Sequence, residues 1–259
     1  LNNVVIFSPE EEEITKGSPI NRRNYFDKIF SICSYSYLNE LLSYNKILKQ
    51  RNSLLRTEKN TIKKQKELEI WNKPLIQKGF SLWLKRKSLM DEFISFFINT
   101  VKKFDRNLNL DIKYDLKTKD EEEYNLKLIE KKDSDIKKKH TSFGPHRDDV
   151  FFFWDQKQIK NHGSQGEHKL FLALLKITEQ LFLSQKTQKT PIFLIDDMFA
   201  NLDKERSKKL LRFVERFKNK EKKTQTIITT TNIVNIKEND FFLEFNEVSK
   251  HHLQINGTT

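Results

Sequence analysis

Two adjacent carboxylates, Asp196 and Asp197, follow directly on a run of four apolar residues, Ile192–Ile195. The run comes after a proline, is too short for a solitary helix and lacks the alternation of a half-exposed strand. It therefore predicts a strand buried on both faces of a parallel sheet. Ligands of open α/β sheets collect beyond the carboxyl ends of the strands, where two carboxylates would bind a cation. The alternative is a core strand that ends in a surface Asp-Asp turn.

The pair has the pattern of a Walker B strand, in which the first acid holds the Mg²⁺ of a bound nucleotide and the second orients the attacking water. Thr224–Thr231 is a β-branched run that predicts the next parallel strand, with hydroxyl groups at the same edge as Asp196. Between these strands, Asp203 is suited to cap a helix over Lys204–Phe217.

A second stretch with possible chemistry is His162–Gly166, of sequence HGSQG. Its two glycines free the backbone, and Ser164 and Gln165 stand just ahead of a predicted helix. The first amide groups of a helix lack intrahelical partners, which suits them to a phosphate. A capped helix start without any ligand would explain the same residues.

The cluster His146–Asp149 is a third candidate, because its side chains could hold a metal or a phosphate. Neighbouring acids on an extended chain point to opposite faces, however. This favours a structural role such as a charge-paired turn.

Composition limits the partners. The 259 residues carry a net charge of +12, with a pI of about 9.5, which favours a polyanion such as nucleic acid or an anionic membrane surface. A diffuse excess of lysine on a solvated surface is the alternative. The single Cys33 excludes an internal disulfide, and no run approaches 18 apolar residues, so we expect a cytoplasmic protein with no membrane association. Because the chain begins with Leu1, we also expect a segment upstream of it.

The remaining periodicity predicts strands, helices and one hinge. The aromatic stripe towards Phe104 indicates either a buried lobe core or an amphipathic membrane helix, and the core is favoured. The predicted strands are Leu1–Phe7, Leu108–Tyr114, Val150–Trp154 and a C-terminal pair, Asp240–Phe245 and His251–Ile255. The predicted helices begin at Asn21, resume near Pro74 and include Asp120–Lys139. Between the first two, Thr57–Glu67 is either a solvated helical segment or a hinge.

Taken in this order, these motifs resemble the RecF family of bacterial recombination mediators, which is related to the heads of ABC ATPases, SMC proteins and Rad50. The resemblance covers nearly the whole chain, and its GSP-x-x-RR and GPHRDD motifs are more specific than the Walker B strand. It rests on FSPE at Phe7–Glu10, GSPINRR at Gly17–Arg23, LKQRNSLL at Leu48–Leu55, Trp71-Asn72, Gly79, GPHRDD at Gly144–Asp149, SQG at Ser164–Gly166, the two aspartates, ANLD at Ala200–Asp203 and the TTT strand end.

The resemblance implies an α/β fold, the P-loop ABC-type ATPase head, with an incomplete parallel-sheet lobe I and an inserted helical lobe II. Residues 1–20 would end the N-terminal head part, residues 21–140 would form lobe II, and residues 141–259 would form the C-terminal head part. It also implies that Asp196 ligates Mg²⁺ and that Asp197 polarises the water that hydrolyses ATP.

The signature-like loop would act across a dimer interface. The resemblance implies that Ser164, Gln165 and Gly166 contact the γ-phosphate of ATP held by the partner subunit. Asp203 would belong to the D-loop at that interface, and Thr230 would lie at the switch position near the γ-phosphate.

The sequence departs from the family pattern in two places. Glu167, His168 and Lys169 replace the usual Gln, Gln and Arg, and a carboxylate beside a γ-phosphate would repel it unless it points away. No G-x-x-x-x-G-K-[ST] can be assembled from the six glycines. In the family this loop lies in the N-terminal part, so we expect it upstream of Leu1, and ATPase activity of the printed chain stays open.

The implied function is ATP-dependent binding of gapped or single-stranded DNA in recombinational repair, replication-fork maintenance and the SOS response. An ATP-driven homodimer would help RecO- and RecR-type partners to load the recombinase. The alternatives are a head fragment of another SMC-like or Rad50-like ATPase and a non-enzymatic basic DNA-binding module. Arg22 and Arg23 are candidates for DNA contact, together with Lys28, Lys46, Lys49 and Arg51; pairing of both arginines with Glu10–Glu13 would make them structural.

Overall fold

The structure is a computed structural model that describes residues 3–57, 62–196, 204–216 and 225–229. The described strands are β1 (Val4–Phe7), β2 (Leu110–Lys113), β3 (Phe151–Trp154), β4 (Lys157–Gln158), β5 (Ile192–Asp196) and β6 (Thr226–Thr229). The described helices are α1 (Glu13–Lys16), α2 (Pro19–Cys33), α3 (Tyr35–Arg56), α4 (Ile62–Phe104), α5 (Glu121–Glu130), α6 (Lys132–Lys138), α7 (Ile159–His162), α8 (Gln165–Thr187) and α9 (Lys204–Arg216), with 3₁₀ turns at Pro9–Glu12 and Pro145–Arg147.

A parallel sheet of order β1-β5-β6 carries the candidate catalytic edge. This confirms the predicted parallel pairing of the strand before Asp196 with the threonine-rich strand, and the strand predicted near the N-terminus is also present. Phe193 and Ile195 are buried, whereas Ile192 and Leu194 are only partly covered by the described residues. The prediction of complete burial on both faces is therefore wrong for the part of the chain that the structure describes.

The helical region begins with α2 and α3, which Ser34 separates; its hydroxyl accepts a bond from the Tyr37 amide. One prediction here is wrong, because α4 starts at Ile62 and contains Pro74 in its interior instead of beginning near it. Proline lacks an N–H, so the Ile70 carbonyl loses its intrahelical partner. Ile70 is exposed to solvent, while Leu75 and Ile76 are buried, so packing holds the helix through the break.

A second, antiparallel sheet of order β2-β3-β4 contains the strands predicted near Leu108 and Val150. The β4 strand was not predicted. Asp155 and Gln156 both have positive φ, at 44° and 67°, as a type I′ hairpin turn requires, but the pair lacks the Gly that usually marks such a turn.

The single helix expected over Asp120–Lys139 is divided into α5 and α6, so its continuity was predicted wrongly. Asp120 caps α5 by accepting a bond from the Glu123 amide, as its position before an acidic first turn favours. Lys139 ends α6 in the left-handed conformation.

The aromatic stripe of α4 lies in the core, as the favoured interpretation predicts. Phe97 meets Phe171 of α8 with ring centroids 5.1 Å apart, and Phe93 contacts Phe182 of α8 at 5.4 Å. No helix among the described residues is both long and apolar enough to cross a membrane. The hydrophobic core runs from α2 and α4 into α8, across the expected limits of the helical lobe, and the three-part division stays a prediction.

The predicted strand pair near the C-terminus, Asp240–Phe245 and His251–Ile255, lies outside the described residues. Positions 58–61 of the segment from Thr57 to Glu67 also do, and a hinge there stays a prediction. Residues 62–67 belong to α4, as the helical alternative for this segment predicts.

Gly79 of α4 lies against two buried rings, and a Cβ there would stand 2.8 Å from Tyr124 Cε1 and 3.0 Å from Tyr44 Cε2. We expect Gly79→Ala to lower the free energy of unfolding by about 1–3 kcal/mol, because flat buried rings cannot move aside at low cost. Denaturant unfolding followed by circular dichroism measures this. Ser88→Ala, at an exposed position of the same helix, is the control; an equally small effect of both changes would contradict the expectation.

Candidate functional site

Asp196 ends β5 at the carboxyl edge of the parallel sheet, and its side chain is exposed. The register places Thr229 of β6 beside it, and the Thr229 hydroxyl donates to Asp196 Oδ1. The sequence predicted hydroxyl groups at this edge, and this one is confirmed. A carboxylate with a neighbouring hydroxyl is a set of hard oxygen donors, which fits the Mg²⁺ preference for one or two carboxylates completed by water and phosphate oxygens.

Three other predicted site residues cannot be placed. Asp197, Asp203 and Thr230 lie outside the described residues, and their assigned roles stay predictions. Among the residues that are described, no group of three or more His, Cys, Asp or Glu side chains could hold a metal ion by itself.

The signature-like loop forms the N-terminus of α8. Ser164 is its N-cap and takes part in a capping box: the Ser164 hydroxyl accepts from the Glu167 amide at 3.3 Å, and the Glu167 carboxylate accepts from the Ser164 amide at 2.8 Å. Ser164 and Gln165 are exposed, and Gly166 is half-buried. The helix start is therefore capped, as the alternative without a ligand predicts. Ser164 and Gln165 are nevertheless exposed and accessible to a ligand. A serine followed three residues later by a glutamate, as at Ser164 and Glu167, is the sequence signal of such a box.

Two of the three residues that follow the signature-like loop, His168 and Lys169, are buried, whereas Glu167 is half-buried. Glu167 is tied to the cap, and His168 is buried with its Nδ1 2.9 Å from the Thr15 hydroxyl of α1. Burial lowers the pKa of the His168 imidazole. Lys169 is buried as well. The His168 contact therefore joins the first turn of α8 to α1.

The cluster at His146–Asp149 is structural, as the favoured alternative predicts. Asp148 is fully buried and its Oδ2 accepts bonds from Trp83 Nε1 at 2.7 Å, Arg86 Nη1 at 2.8 Å and the Tyr114 hydroxyl at 2.7 Å. The side chain of Asp149 turns to the other side and pairs with an arginine of α2. Asp148 is closed off from solvent and three donors occupy its Oδ2, so its carboxylate cannot be reached by a metal or a phosphate.

That arginine is Arg22, one of the two candidates for DNA contact. It is buried, donates to Asp149 with Nε at 2.7 Å and Nη2 at 3.0 Å, and donates to the Gly17 carbonyl at 2.9 Å. Arg23 is half-buried and donates to the Asp148 carbonyl at 2.5 Å. These bonds favour the structural alternative for both, although the partners are not the expected residues Glu10–Glu13.

Arg51 is also removed from the surface. It is 1% exposed and donates to Asp135 at 2.8 Å, to Thr141 at 2.6 Å and to Asn72 at 3.1 Å. The LKQRNSLL and Trp71-Asn72 motifs thus meet at one buried ion pair. Lys28, Lys46 and Lys49 remain exposed.

His146 has a defined tautomer. Its Nε2 lies 2.9 Å from the Thr141 carbonyl, which can only accept, so Nε2 carries the proton and Nδ1 accepts from the Tyr44 hydroxyl at 2.6 Å. A proton on Nδ1 would oppose the Tyr44 donor. Burial lowers the pKa of His146 from 6.5 to about 4, so the ring is neutral near pH 7.

Curated relatives resemble this chain over most of its length. The DNA replication and repair protein RecF of Geotalea daltonii is 33% identical over 247 residues, which cover 90% of this chain and 64% of the relative. The protein of the same name from Streptococcus gordonii is 32% identical over 262 residues, covering 97% of this chain and 69% of the relative. The chain thus spans about two thirds of the length of these relatives.

Solved structures agree with the sequence relatives. The recombination mediator protein RecF-ATPrS of the RecFOR pathway superposes with a TM-score of 0.76 at 29% identity, covering 89% of this chain and 63% of that one. The corresponding RecF-ATP structure gives a TM-score of 0.74 at 28% identity, covering 88% and 62%. No family model matches the chain. The fold is therefore the α/β, ABC-type ATPase head that the sequence predicts.

We expect His146→Gln to flatten the dependence of stability on pH. Between pH 6.5 and about pH 4 the unfolded chain binds a proton at His146 and the folded chain does not, so stability falls as the pH is lowered through this window. Over this pH window the free energy of unfolding of the wild type should fall by up to about 3 kcal/mol more than that of the variant. Urea unfolding at several pH values measures this, with His140→Gln on the half-exposed His140 as control. Parallel pH curves for wild type and His146→Gln would contradict the burial argument.

Proposed function

This chain belongs to the RecF family, and we propose that the protein is an ATP-dependent DNA-binding protein of recombinational repair and replication-fork maintenance. It binds gapped or single-stranded DNA, forms a homodimer with ATP, and acts with RecO- and RecR-type mediators to load the recombinase. The protein acts in the cytoplasm. Hydrolysis of ATP separates the two subunits of the dimer and releases the DNA.

The observation that carries the proposal is the position of Asp196. It stands exposed at the carboxyl end of a strand that lies between two parallel neighbours, which is where an ATPase head binds its nucleotide. Asp196 and the Thr229 hydroxyl would hold Mg²⁺, which neutralises charge on the phosphates when it is bound. Asp197, the next residue, would polarise the attacking water.

The exposed start of α8 supports the proposed dimer. A 23-residue helix presents the partial positive charge of its first amides at Ser164 and Gln165, and neither side chain is covered by the described residues. Glu167 was the expected difficulty at this loop. Its carboxylate is held by the Ser164 amide as part of the capping box, so it is not a free anion in front of the loop.

We expect Asp196→Asn to weaken Mg-ATP binding and Asp197→Asn to leave binding intact while slowing turnover by about 10²-fold or more. Both variants are made in the complete protein, or in a fusion that places the N-terminal part of the Streptococcus gordonii relative ahead of Leu1. ATP affinity and turnover are measured with and without gapped DNA. Equal affinity and turnover in wild type and both variants would overturn the site. DNA binding without any turnover would favour the non-enzymatic DNA-binding module instead.

Ser164→Arg should abolish ATP-dependent dimerisation while each subunit still binds ATP, because a bulky cation would fill the position of the partner's γ-phosphate. Analytical ultracentrifugation with and without ATP measures this. Glu167→Ala is the control, since it removes one bond of the capping box without adding bulk. If Ser164→Arg dimerises like the wild type, the loop is a helix cap alone; if Glu167→Ala fails equally, the loss comes from the fold of the helix start.

A further inference from the structure

A basic cleft lies between the end of α4 and one face of α9. Its volume is about 410 Å³. The residues that line this α4–α9 cleft are Lys103, Phe104, Glu205, Lys208, Lys209, Arg212 and Phe213. Four of these described residues are cationic and one is anionic, which is a denser positive charge than the chain has on average.

The floor of the cleft is apolar and fixed. Phe104 and Phe213 are buried and meet edge to face, with ring centroids 5.3 Å apart. Leu210 and Val214 of α9 are also buried, so this helix packs by one face and turns its basic residues outward. The cations therefore stand on a rigid base.

Two of the cations are available to a ligand. Lys209 is occupied, because its Nζ pairs with Asp105 and lies 5.0 Å from the centroid of the Phe104 ring. Lys103 and Arg212 are exposed, and within the described part of the chain neither has a carboxylate partner. Lys103 belongs to α4 and Arg212 to α9, so each of the two helices that line the cleft contributes one of them.

Three arginines of the helical region are not available to DNA. Arg22, Arg51 and Arg86 are buried and bonded to Asp149, Asp135 and Asp148 respectively. They contribute to the net charge of +12 without presenting it to solvent. Lys28, Lys46 and Lys49 are exposed, but none of them lines the α4–α9 cleft, where four cations stand together.

We propose that the α4–α9 cleft binds the phosphodiester backbone of DNA, with Lys103 and Arg212 each neutralising one phosphate. The inference rests on the proposed DNA-binding function and adds its location. A guanidinium offers a planar pair of donors to phosphate oxygens, and a lysine adds a point charge. Lys208 and Arg212 are one helical turn apart, roughly 6 Å along the axis of α9. The basic face is therefore elongated, which suits the backbone of a DNA strand better than one small anion. Contacts of this kind position the DNA without reading its sequence.

The test is the salt dependence of DNA binding by the complete protein. Fluorescence anisotropy of a labelled gapped duplex is measured over a series of KCl concentrations for wild type and for Lys103→Gln/Arg212→Gln. Loss of two phosphate contacts should flatten the log–log salt slope by about two units, equally for duplexes of different sequence. Lys137→Gln/Lys138→Gln removes the same charge from exposed positions of α6 and is the matched control. It should leave the slope close to that of the wild type.

Charge reversal provides the second variant. Lys103→Glu/Arg212→Glu should weaken binding further than the neutral pair at the same melting temperature. If the wild type binds DNA and the cleft variants keep its slope, the inference is overturned and the proposed function stands. Equal flattening by the cleft and control pairs would also overturn it, because the attraction would then be diffuse. If the wild type does not bind the duplex at any salt concentration, the proposed function itself fails.

Discussion

The fold depends on one buried carboxylate. Asp148 has no exposed surface, and three donors from two separate elements converge on its Oδ2: Trp83 and Arg86 from α4 and Tyr114 from the end of β2. Breaking one partner of such a buried pair costs about 3–5 kcal/mol in proteins generally, because the remaining charge is left without compensation. Burial raises the pKa of Asp148, while its donors act in the opposite direction. The long helix, the antiparallel sheet and the GPHRDD turn are thus fixed to each other at a single point.

Further ion pairs extend this point into a network. Arg86 also donates to Asp27 of α2 at 3.0 Å and to the Tyr37 hydroxyl of α3 at 3.1 Å. Arg22 joins the start of α2 to Asp149. Arg51 joins α3 to α6 in the same way. Arg22, Arg51 and Arg86 therefore each hold together segments that are distant in sequence.

The residues proposed to act on ATP and DNA lie in a different environment. Asp196 and Ser164 are exposed at the end of a strand and at the start of a helix, and Lys103 and Arg212 are exposed above an apolar floor. The same residue types, aspartate and arginine, therefore serve as internal connectors where they are buried and paired, and as available charges where they are not. Burial, not residue type, separates the two groups.

The sequence alone determined the elements that have a local cause. The apolar run before Asp196 specified a strand, the β-branched run specified its parallel neighbour, and Asp120 and Ser164 marked the starts of helices, because backbone geometry and capping act within a few residues. It could not show that Pro74 lies inside a helix, since packing of Leu75 and Ile76 outweighs the lost hydrogen bond. Nor could it show the role of Arg22, whose partner Asp149 is 127 residues away. Only the tertiary structure decided which charged side chains are neutralised within the fold. Ion pairing depends on which distant segments come into contact, and a count of lysines and arginines does not give those contacts.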